Sequence, residues 1–577
     1  MRQDNSKEMP RSNKLEKNIC MKKISITFLL AFTAILTLFA APSTGDLKKS
    51  IFTLTTYNAD GSVRATGSYG VFISTTGEAV GPWSPFSGAT SATVTDISGK
   101  TYDVETLIGA NELYDVCRFH VNAKSTTPLA LASTSAKEGN SVSVYAVDGK
   151  KIEPNEMKIV RTEKFMDKYT YYILPATETV YAAGLPFVNT NGQLLGLLQK
   201  SVTSDELHAT DINFFKDLRI SAFSINDPIY QQTGIRLEMP TDKKDALVML
   251  IMANDQRDSA KYVSYIEDFI RLFPNETDGY SARAQLKVNA GDFTGADKDM
   301  QTAISKATNK AEAHAEYAKI IYQKMVYNPD TLYKGWTFDK ALDETRQAYS
   351  LTPDPAYRHR EAQIIYSQGD YKTALDIFTQ LSQTPLRQNG EIFYEAAQCK
   401  TQLQAPKEEV IALLDSAIAA CPQPANAIAA PYILARGGVY AEMGDYRKAL
   451  ADYNVYDTLM VGRASADFYY TRYQCEMEAK QFQQALNDLA HAAVISQYNP
   501  YYVAELASLE LRFNKYEDAI QAANACIVQD PNSADAYIIK GIALVLSDKK
   551  AEGLECLQKA KDLGDERAQG YIDKYSK

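Results

Sequence analysis

The phrase Gly444-Asp445-Tyr446-Arg447-Lys448-Ala449 returns as Lys480-Gln481-Phe482-Gln483-Gln484-Ala485 and again as Asn514-Lys515-Tyr516-Glu517-Asp518-Ala519. A fourth, weaker copy is Asp548-Lys549-Lys550 with Gly553, and the successive intervals are 36, 34 and 34 residues. Upstream, Gly291-Asp292-Phe293 with Ala296 and Gly369-Asp370-Tyr371 with Ala374 belong to the same series. Each phrase joins two apolar runs of helical period, so the repeating unit is a helix, a tight turn and a second helix. From about Asp242 onward the chain therefore reads as stacked helix pairs, about eight in number. The 75 residues between Gly369 and Gly444 leave room for one more, degenerate unit at Ile392–Cys421. Asp245–Phe273 reads as a cap, and Tyr327–Gly335 as an insertion in the 310–352 unit.

Period and turn together resemble tetratricopeptide repeats (TPR). In the 429–462 unit Gly437 takes the small position, Tyr440 the aromatic one, and Ala449 and Tyr453 the second helix. In the 500–533 unit Ala507, Ala519 and Pro531 fit, whereas the 466–499 unit has Tyr473 at the small position, which predicts a splayed pair. The resemblance implies no catalytic machinery but a concave groove that holds peptides or protein surfaces. Its groove positions fall on Asp467, Tyr470, Gln474, Met477 and Glu478, then on Ala504, Ser508, Leu511 and Arg512. That face is mixed and lacks the basic clamp expected for a terminal carboxylate. The 37 tyrosines are a suggestive excess, because tyrosine suits recognition surfaces; filling repeat cores is the plainer use.

The first half has a different rhythm. Ile51–Tyr57, Gly70–Ser74, Ala92–Ile97 and Thr101–Ile108 are β-rich runs. They end at Ala59-Asp60-Gly61, Thr75-Thr76-Gly77, Ser98-Gly99 and Gly109-Ala110-Asn111. Short strands at this spacing predict a barrel or sandwich. Later, Tyr181-Ala182-Ala183-Gly184-Leu185-Pro186-Phe187-Val188 precedes Asn189-Thr190-Asn191-Gly192-Gln193-Leu194-Leu195-Gly196. This frame resembles the nucleophile stretch of periplasmic trypsin-like, chymotrypsin-fold serine proteases of the HtrA kind, with Ala183 in the serine slot. Gly67-Ser68-Tyr69-Gly70-Val71-Phe72-Ile73-Ser74 resembles the hairpin that leads to the family's catalytic histidine, and the count places Ser84 there. Tyr114-Asp115-Val116-Cys117 matches the aspartate strand, and Leu207–Leu218 the closing strand and helix.

Acyl transfer on that fold needs a hydroxyl, an imidazole to take its proton and a carboxylate to orient the imidazole. Of the degenerate slots Ser84, Asp115 and Ala183, only Asp115 keeps its expected residue type, which predicts a pseudoprotease with no catalytic residue. Asp115 also reads as a simple turn acceptor, and both readings stand at this level. His120 and His208 are the histidines of this half. His120 lies five places from Asp115, so in an extended strand the two face opposite ways. Leu185, in place of a small residue, is expected to narrow the cleft. Trp83, between two prolines, reads as a loop anchor or as a wall of a peptide groove.

The 577 residues allow several domains. Met21-Lys22-Lys23, the apolar run Ile24–Ala41 and Pro42-Ser43-Thr44-Gly45 describe a secretory signal peptide, the alternative being a membrane anchor. Residues 1–20 read as an over-extended N-terminus. Losing residues 1–41 removes seven Lys/Arg and three Asp/Glu and takes the formal charge from −10 to −14. An acidic surface argues against nucleic acid or anionic lipid as partner. Cys117, Cys399, Cys421, Cys475, Cys526 and Cys556 form no C-x-x-C pair, so buried thiols are expected, with no metal and no cofactor.

The expectation is a multidomain chain. A signal peptide at 21–44 precedes an all-β chymotrypsin-like double barrel at 45–222, a linker at 223–242 and an all-α TPR solenoid at 243–577. Such a chain would be an exported, periplasmic adaptor, free or associated with the outer membrane, for a protein or peptide of the cell envelope. A living serine endopeptidase with a rearranged site, or a structural subunit of an envelope complex, are the alternatives.

Overall fold

The computed structural model describes residues 42–577, except 178–180, 200–204, 257 and 330–332. The Ile24–Ala41 run and residues 1–20 lie outside them. The chain divides into two compact units, one ending at Leu272 and the other beginning at Phe273.

After a short helix α1 (Thr44–Ser50), six strands close into a barrel: β1 (Ile51–Tyr57), β2 (Val63–Phe72), β3 (Glu78–Gly81), β4 (Ser91–Asp96), β5 (Thr101–Asn111) and β6 (Val116–Val121). Their order around the barrel is β1-β2-β3-β6-β5-β4. Inward residues alternate with outward ones along β4 and β6, as a pleated strand with one buried face requires. Phe52, Phe72, Phe86 and Phe119 fill the interior. Gly70 is where the wall comes closest, because a Cβ there would lie 2.5 Å from both the Phe52 ring and the Val80 carbonyl.

The turn expected at Gly109-Ala110-Asn111 is a correction. β5 runs through these residues with a register shift between Leu107 and Gly109. Gly109 serves a close approach instead, since a Cβ there would meet Leu218 at 2.7 Å and the Arg219 amide at 2.8 Å.

Seven further strands, β7 (Ser141–Asp148), β8 (Lys151–Lys158), β9 (Arg161–Phe165), β10 (Tyr169–Leu174), β11 (Pro186–Asn189), β12 (Leu194–Gln199) and β13 (Leu207–Asp211), form one sheet. Its order is β8-β7-β11-β12-β13-β10-β9. Only Ile159 and Val160 separate the two edge strands in sequence, so the opposite edges meet at that corner. Helix α2 (Ile212–Asp217) follows β13, capped by Asp211, whose Oδ1 accepts the Asn213 amide at 2.9 Å.

Residues 233–238 lie along the first barrel. Leu237 bridges Leu107 in parallel, and the Leu107 carbonyl accepts the Glu238 amide at 2.9 Å. This segment carries on from α3 (Pro228–Gln231) to the first helix pair, α4 (Lys243–Asp255) and α5 (Ser259–Leu272). Arg236 pairs with Asp268 of α5 and, at 3.2 Å, with Glu105.

The second unit is helical. Its pairs are α6/α7 (Thr277–Asn289, Phe293–Lys306), α8/α9 (Lys310–Tyr327, Phe338–Leu351), α10/α11 (Pro355–Ser367, Tyr371–Leu381) and α12/α13 (Gly390–Gln402, Lys407–Ala419). Then come α14/α15 (Ala430–Glu442, Tyr446–Met460), α16/α17 (Ala466–Glu478, Phe482–Ile495), α18/α19 (Pro500–Arg512, Tyr516–Gln529) and α20/α21 (Ala534–Leu546, Lys550–Asp562), with α22 (Arg567–Ser576) last. The degenerate unit inferred at Ile392–Cys421 is α12/α13. The insertion is the loop between α8 and α9, pinned by Trp336, which is 2% exposed and donates to Asp297 Oδ1 at 2.9 Å.

The repeated turn is a two-part device. Its first residue is left-handed, with φ +88° at Gly369 and +75° at Gly444, and +59° at Lys480, +57° at Asn514 and +62° at Asp548. That conformation ends the first helix. In the Gly-Asp copies the following Asp caps the second helix, with Asp370 Oδ1 accepting the Thr373 amide at 3.1 Å and Asp445 Oδ1 the Lys448 amide at 3.2 Å, whereas Gln481, Lys515 and Lys549 make no side-chain cap. The helices then meet at the small position. A Cβ on Gly437 would lie 2.7 Å from the Tyr453 ring. In the next repeat the sizes are exchanged: Tyr473 is buried against Ala485, Leu486 and Leu489, so the large residue is accommodated within the pair's core.

Among the described residues no helix is long and apolar enough to cross a membrane. All six cysteines in them are unpaired, and Cys421 sits just past the end of α13 rather than within a helix.

Two substitutions test this account. Gly437→Leu overpacks against Tyr453 and is expected to cost about 1–3 kcal/mol of array stability in urea unfolding. Lys480→Gly relieves a left-handed non-glycine residue and is expected to stabilise by about 1 kcal/mol. An unchanged midpoint for the first, or a lowered one for the second, would contradict the register.

Candidate functional site

The loop after β3 is built by two buried aromatics. Trp83 and Phe86 stack with ring centroids 6.3 Å apart, and Trp83 meets the Tyr230 ring edge-on. Trp83 is 1% exposed, so it anchors the loop and does not line a groove. Between these rings Ser84 points outward. Its amide donates to Asp115 Oδ1 at 2.6 Å and its hydroxyl to Oδ2 at 3.1 Å. Asp115 occupies the β5–β6 turn at φ +45°, a left-handed value in which aspartate is better tolerated than most residues. Its carboxylate thus clamps the neighbouring loop.

Residues 183 and 184 come to the same place from the other sheet. The Ala183 carbonyl accepts the Tyr69 amide at 2.9 Å. Gly184 has φ +84°, and a Cβ there would lie 1.9 Å from the Tyr69 carbonyl oxygen and 3.0 Å from Pro82 Cδ. No side chain fits at that approach, so glycine is obligatory. Ser84 is thus held by Asp115, while residues 183–184 pack on Tyr69 and on Pro82, two residues before Ser84. Leu185 is turned into the sheet's core beside Phe187 and Leu198. The narrowing expected of it is not complete, for a cavity of about 250 Å³ remains between Leu185, Tyr69, Tyr181, Ala182 and the β7–β8 hairpin.

The histidines are engaged elsewhere. His120 Nε2 lies 2.6 Å from the Thr76 carbonyl and Nδ1 3.6 Å from Glu238. Its pKa is pushed up to about 9, chiefly by the Glu238 bond. His208, on β13, packs its ring 5.7 Å from that of Tyr171.

On the helical unit one predicted groove residue, Tyr470 of α16, joins a tyrosine cluster with Tyr473, Tyr501 and Tyr502, none of which was a predicted groove position. Tyr470 packs its ring 5.5 Å from Tyr473, 5.3 Å from Tyr501 and 5.7 Å from Tyr502. Tyr501 donates its hydroxyl to that of Tyr470 at 2.9 Å, and Tyr502 donates to Asp467. Gln474, Glu478 and Arg512 are exposed, while Met477 packs half-buried against the Tyr473 core. Tyr501 is 55% exposed. Tyr470 and Tyr473 are both held above the ordinary tyrosine pKa, first by burial and also by the charge of Glu505. Tyr501 and Glu505 were not read from the sequence as groove residues. Tyr501 occupies the helix position equivalent to Asp467, which was the available signal. A second cavity, of about 230 Å³, opens between α10, α12, α13 and α14 under Tyr366 and Tyr394.

Sequence reading also missed a recurring ion pair. Arg283, Arg436 and Arg472 each reach an aspartate sixteen residues on, Asp299, Asp452 and Asp488, at 2.9, 2.7 and 2.6 Å. Arg436 and Arg472 also bind the preceding repeat, through Asp415 at 2.6 Å and Asp457 at 3.0 Å. Near Arg472 lies the buried Glu476, whose Oε2 has no hydrogen-bond partner. Among the described residues no group of His, Cys, Asp and Glu is arranged to hold a metal ion.

The helical unit is thus a TPR-like solenoid, an assignment that rests on the pair geometry and turns above. No protein-family model and no curated protein matches the chain. Among solved structures it is similar to YrrB, described as a TPR protein with an unusual peptide-binding site. Identity is 20%, over 34% of this chain and 97% of that one, with a TM-score of 0.29. A likeness of that size carries no argument about function.

Burial pushes Glu476 up to about 8, from an ordinary 4.5, with Asp488 adding to the rise and Arg472 opposing it. A folded-state pKa above the unfolded one means stability that is full below about 4.5 and is lost as pH climbs through 8. Glu476→Gln is expected to flatten the fall in stability between pH 5 and pH 8. Parallel pH profiles for wild type and variant, by thermal melting, would rule this out.

Proposed function

We propose that the chain is an exported, non-catalytic adaptor, in which the TPR-like array binds a protein or peptide of the cell envelope and the β unit is an inactive trypsin-like domain. The observation that carries the binding role is the half-exposed tyrosine face on α16 and α18. An aromatic surface that costs solvation and carries no catalytic groups is what a recognition groove requires.

The trypsin-like reading is supported by topology. If β8 and β9 are counted as one bent strand, the second sheet has the order of the first barrel, with its third strand beside its sixth, fifth and fourth. A second sheet that repeats the first barrel's strand order is what a chymotrypsin-like double barrel would supply, and Ser84, Asp115 and Ala183 would then flank the cleft between its halves. Inactivity is supported by Asp115, whose carboxylate is spent on Ser84, and by the engagement of His120 with Thr76 and Glu238. The cavity beside Ala182 favours a cleft that receives a chain segment over a purely structural block. The Met21–Ala41 segment supports export.

Ala183→Ser alone is expected to leave casein uncleaved and a serine-directed phosphonate unreacted, because no imidazole is placed to take the proton. Cleavage by that variant would overturn the inactive reading. For the array, cross-linking in the native envelope is compared between the full chain and a 42–272 fragment. Partners captured by the full chain and lost from the fragment are expected. Partners retained by the fragment would transfer the binding role to the β unit.

A further inference from the structure

At several places in this protein a cation of the chain sits over a tyrosine ring, although most rings have none. Lys100 sits over Tyr102 at 4.6 Å, Lys448 over Tyr440 at 5.0 Å, Arg360 over Tyr322 at 5.1 Å and Arg472 over Tyr469 at 5.3 Å. Among the described residues no cation of the chain covers Tyr470, Tyr473, Tyr501 or Tyr502, though these four form one continuous cluster. Beside them Glu505 is half-buried and has no hydrogen-bond or ion-pair partner among the described residues. Its charge is felt by both Tyr470 and Tyr473. Arg512 lies on the same groove face without pairing to it, and Asp467 and Glu478 make the surroundings net acidic.

An electron-rich ring cluster with an unpaired carboxylate at its side is complementary to one kind of group. A guanidinium stacks flat on a ring while its edge donates to a carboxylate, which an ammonium cannot do. We propose that the accessible rings of Tyr470 and Tyr501, backed by the buried Tyr473 and Tyr502, together with Glu505 receive an arginine side chain from an extended basic segment of the partner protein. The proposal rests on the reading of the array as a protein-binding groove and names what that groove selects. The carboxyl terminus of a partner is not its ligand, because the charge that faces the groove here is negative. The chain's overall acidity, −10, would draw such a segment in from a distance.

The test measures binding of a fluorescent dodecamer of alternating glycine and arginine, and of its glycine–glutamine counterpart, to the full chain by anisotropy at low and moderate salt. The arginine peptide is expected to bind and the glutamine peptide not to. Glu505→Gln is expected to weaken binding roughly tenfold and to reduce its salt dependence, whereas Asp562→Asn, an equal change of charge on α21, leaves it within about twofold. Tyr470→Phe keeps the ring and is expected to bind nearly as wild type, and Tyr501→Ala, on an exposed ring whose loss the fold tolerates, to lose roughly three- to tenfold. Equal effects of Glu505→Gln and Asp562→Asn would mean diffuse attraction and would sink the proposal, as would equal binding of the two peptides. Either failure leaves the array reading standing if the full chain still captures its cross-linked partner; loss of that capture is the separate failure of the array reading.

Discussion

The helical unit depends on the close pairing of its helices, made at Gly437 and Gly541 by a small residue of the first helix facing the second, and at Tyr473 by an exchange of sizes. At Gly437 there is no space for even a methyl group, because the Tyr453 ring already occupies it. This contact sets how closely the two helices pair, and the pairing directs the first helices' remaining faces toward the groove. The buried Arg–Asp pairs act at the same level. Arg436 and Arg472 satisfy an aspartate within their own repeat and one in the repeat before. A buried pair of this kind adds little net stability, but losing one partner costs several kcal/mol. The pairs therefore penalise any slip of one repeat against the next.

The same reasoning governs the β unit, where glycine again marks closest approach. Gly70 admits Phe52, Gly109 admits the chain after α2, and Gly184 presses residues 183–184 onto Tyr69. The third of these gathers the cleft. Ala183 is brought beside Tyr69 and Pro82 by backbone packing alone, and no catalytic contact is needed to hold it there. Asp115 likewise acts through the backbone and side chain of a neighbouring loop, fixing the segment that carries Ser84.

Much of this architecture was legible in the chain. The repeat interval placed the helix turns correctly from Gly291 to Asp548, since Gly, Asn and Asp favour the left-handed cap and the interval carries the reading through Lys480, where none of them stands. The degenerate α12/α13 pair was found by length alone. Strand β1 was read with its observed limits from its alternation. One reading went astray for a local reason: Gly109 looked like a turn because glycine signals both turns and close contacts.

Periodicity, turn chemistry and residue size are local properties, so the sequence by itself determined the two structural classes, the number and limits of most helices, and the absence of a histidine at position 84. Which side chains meet across elements is decided by packing between distant parts of the chain. The Ser84–Asp115 clamp joins residues 31 apart, and the tyrosine cluster joins two repeats. The isolation of Glu505 is of the same kind. A carboxylate's lack of a partner is a property of everything around it, and only the tertiary structure decides it.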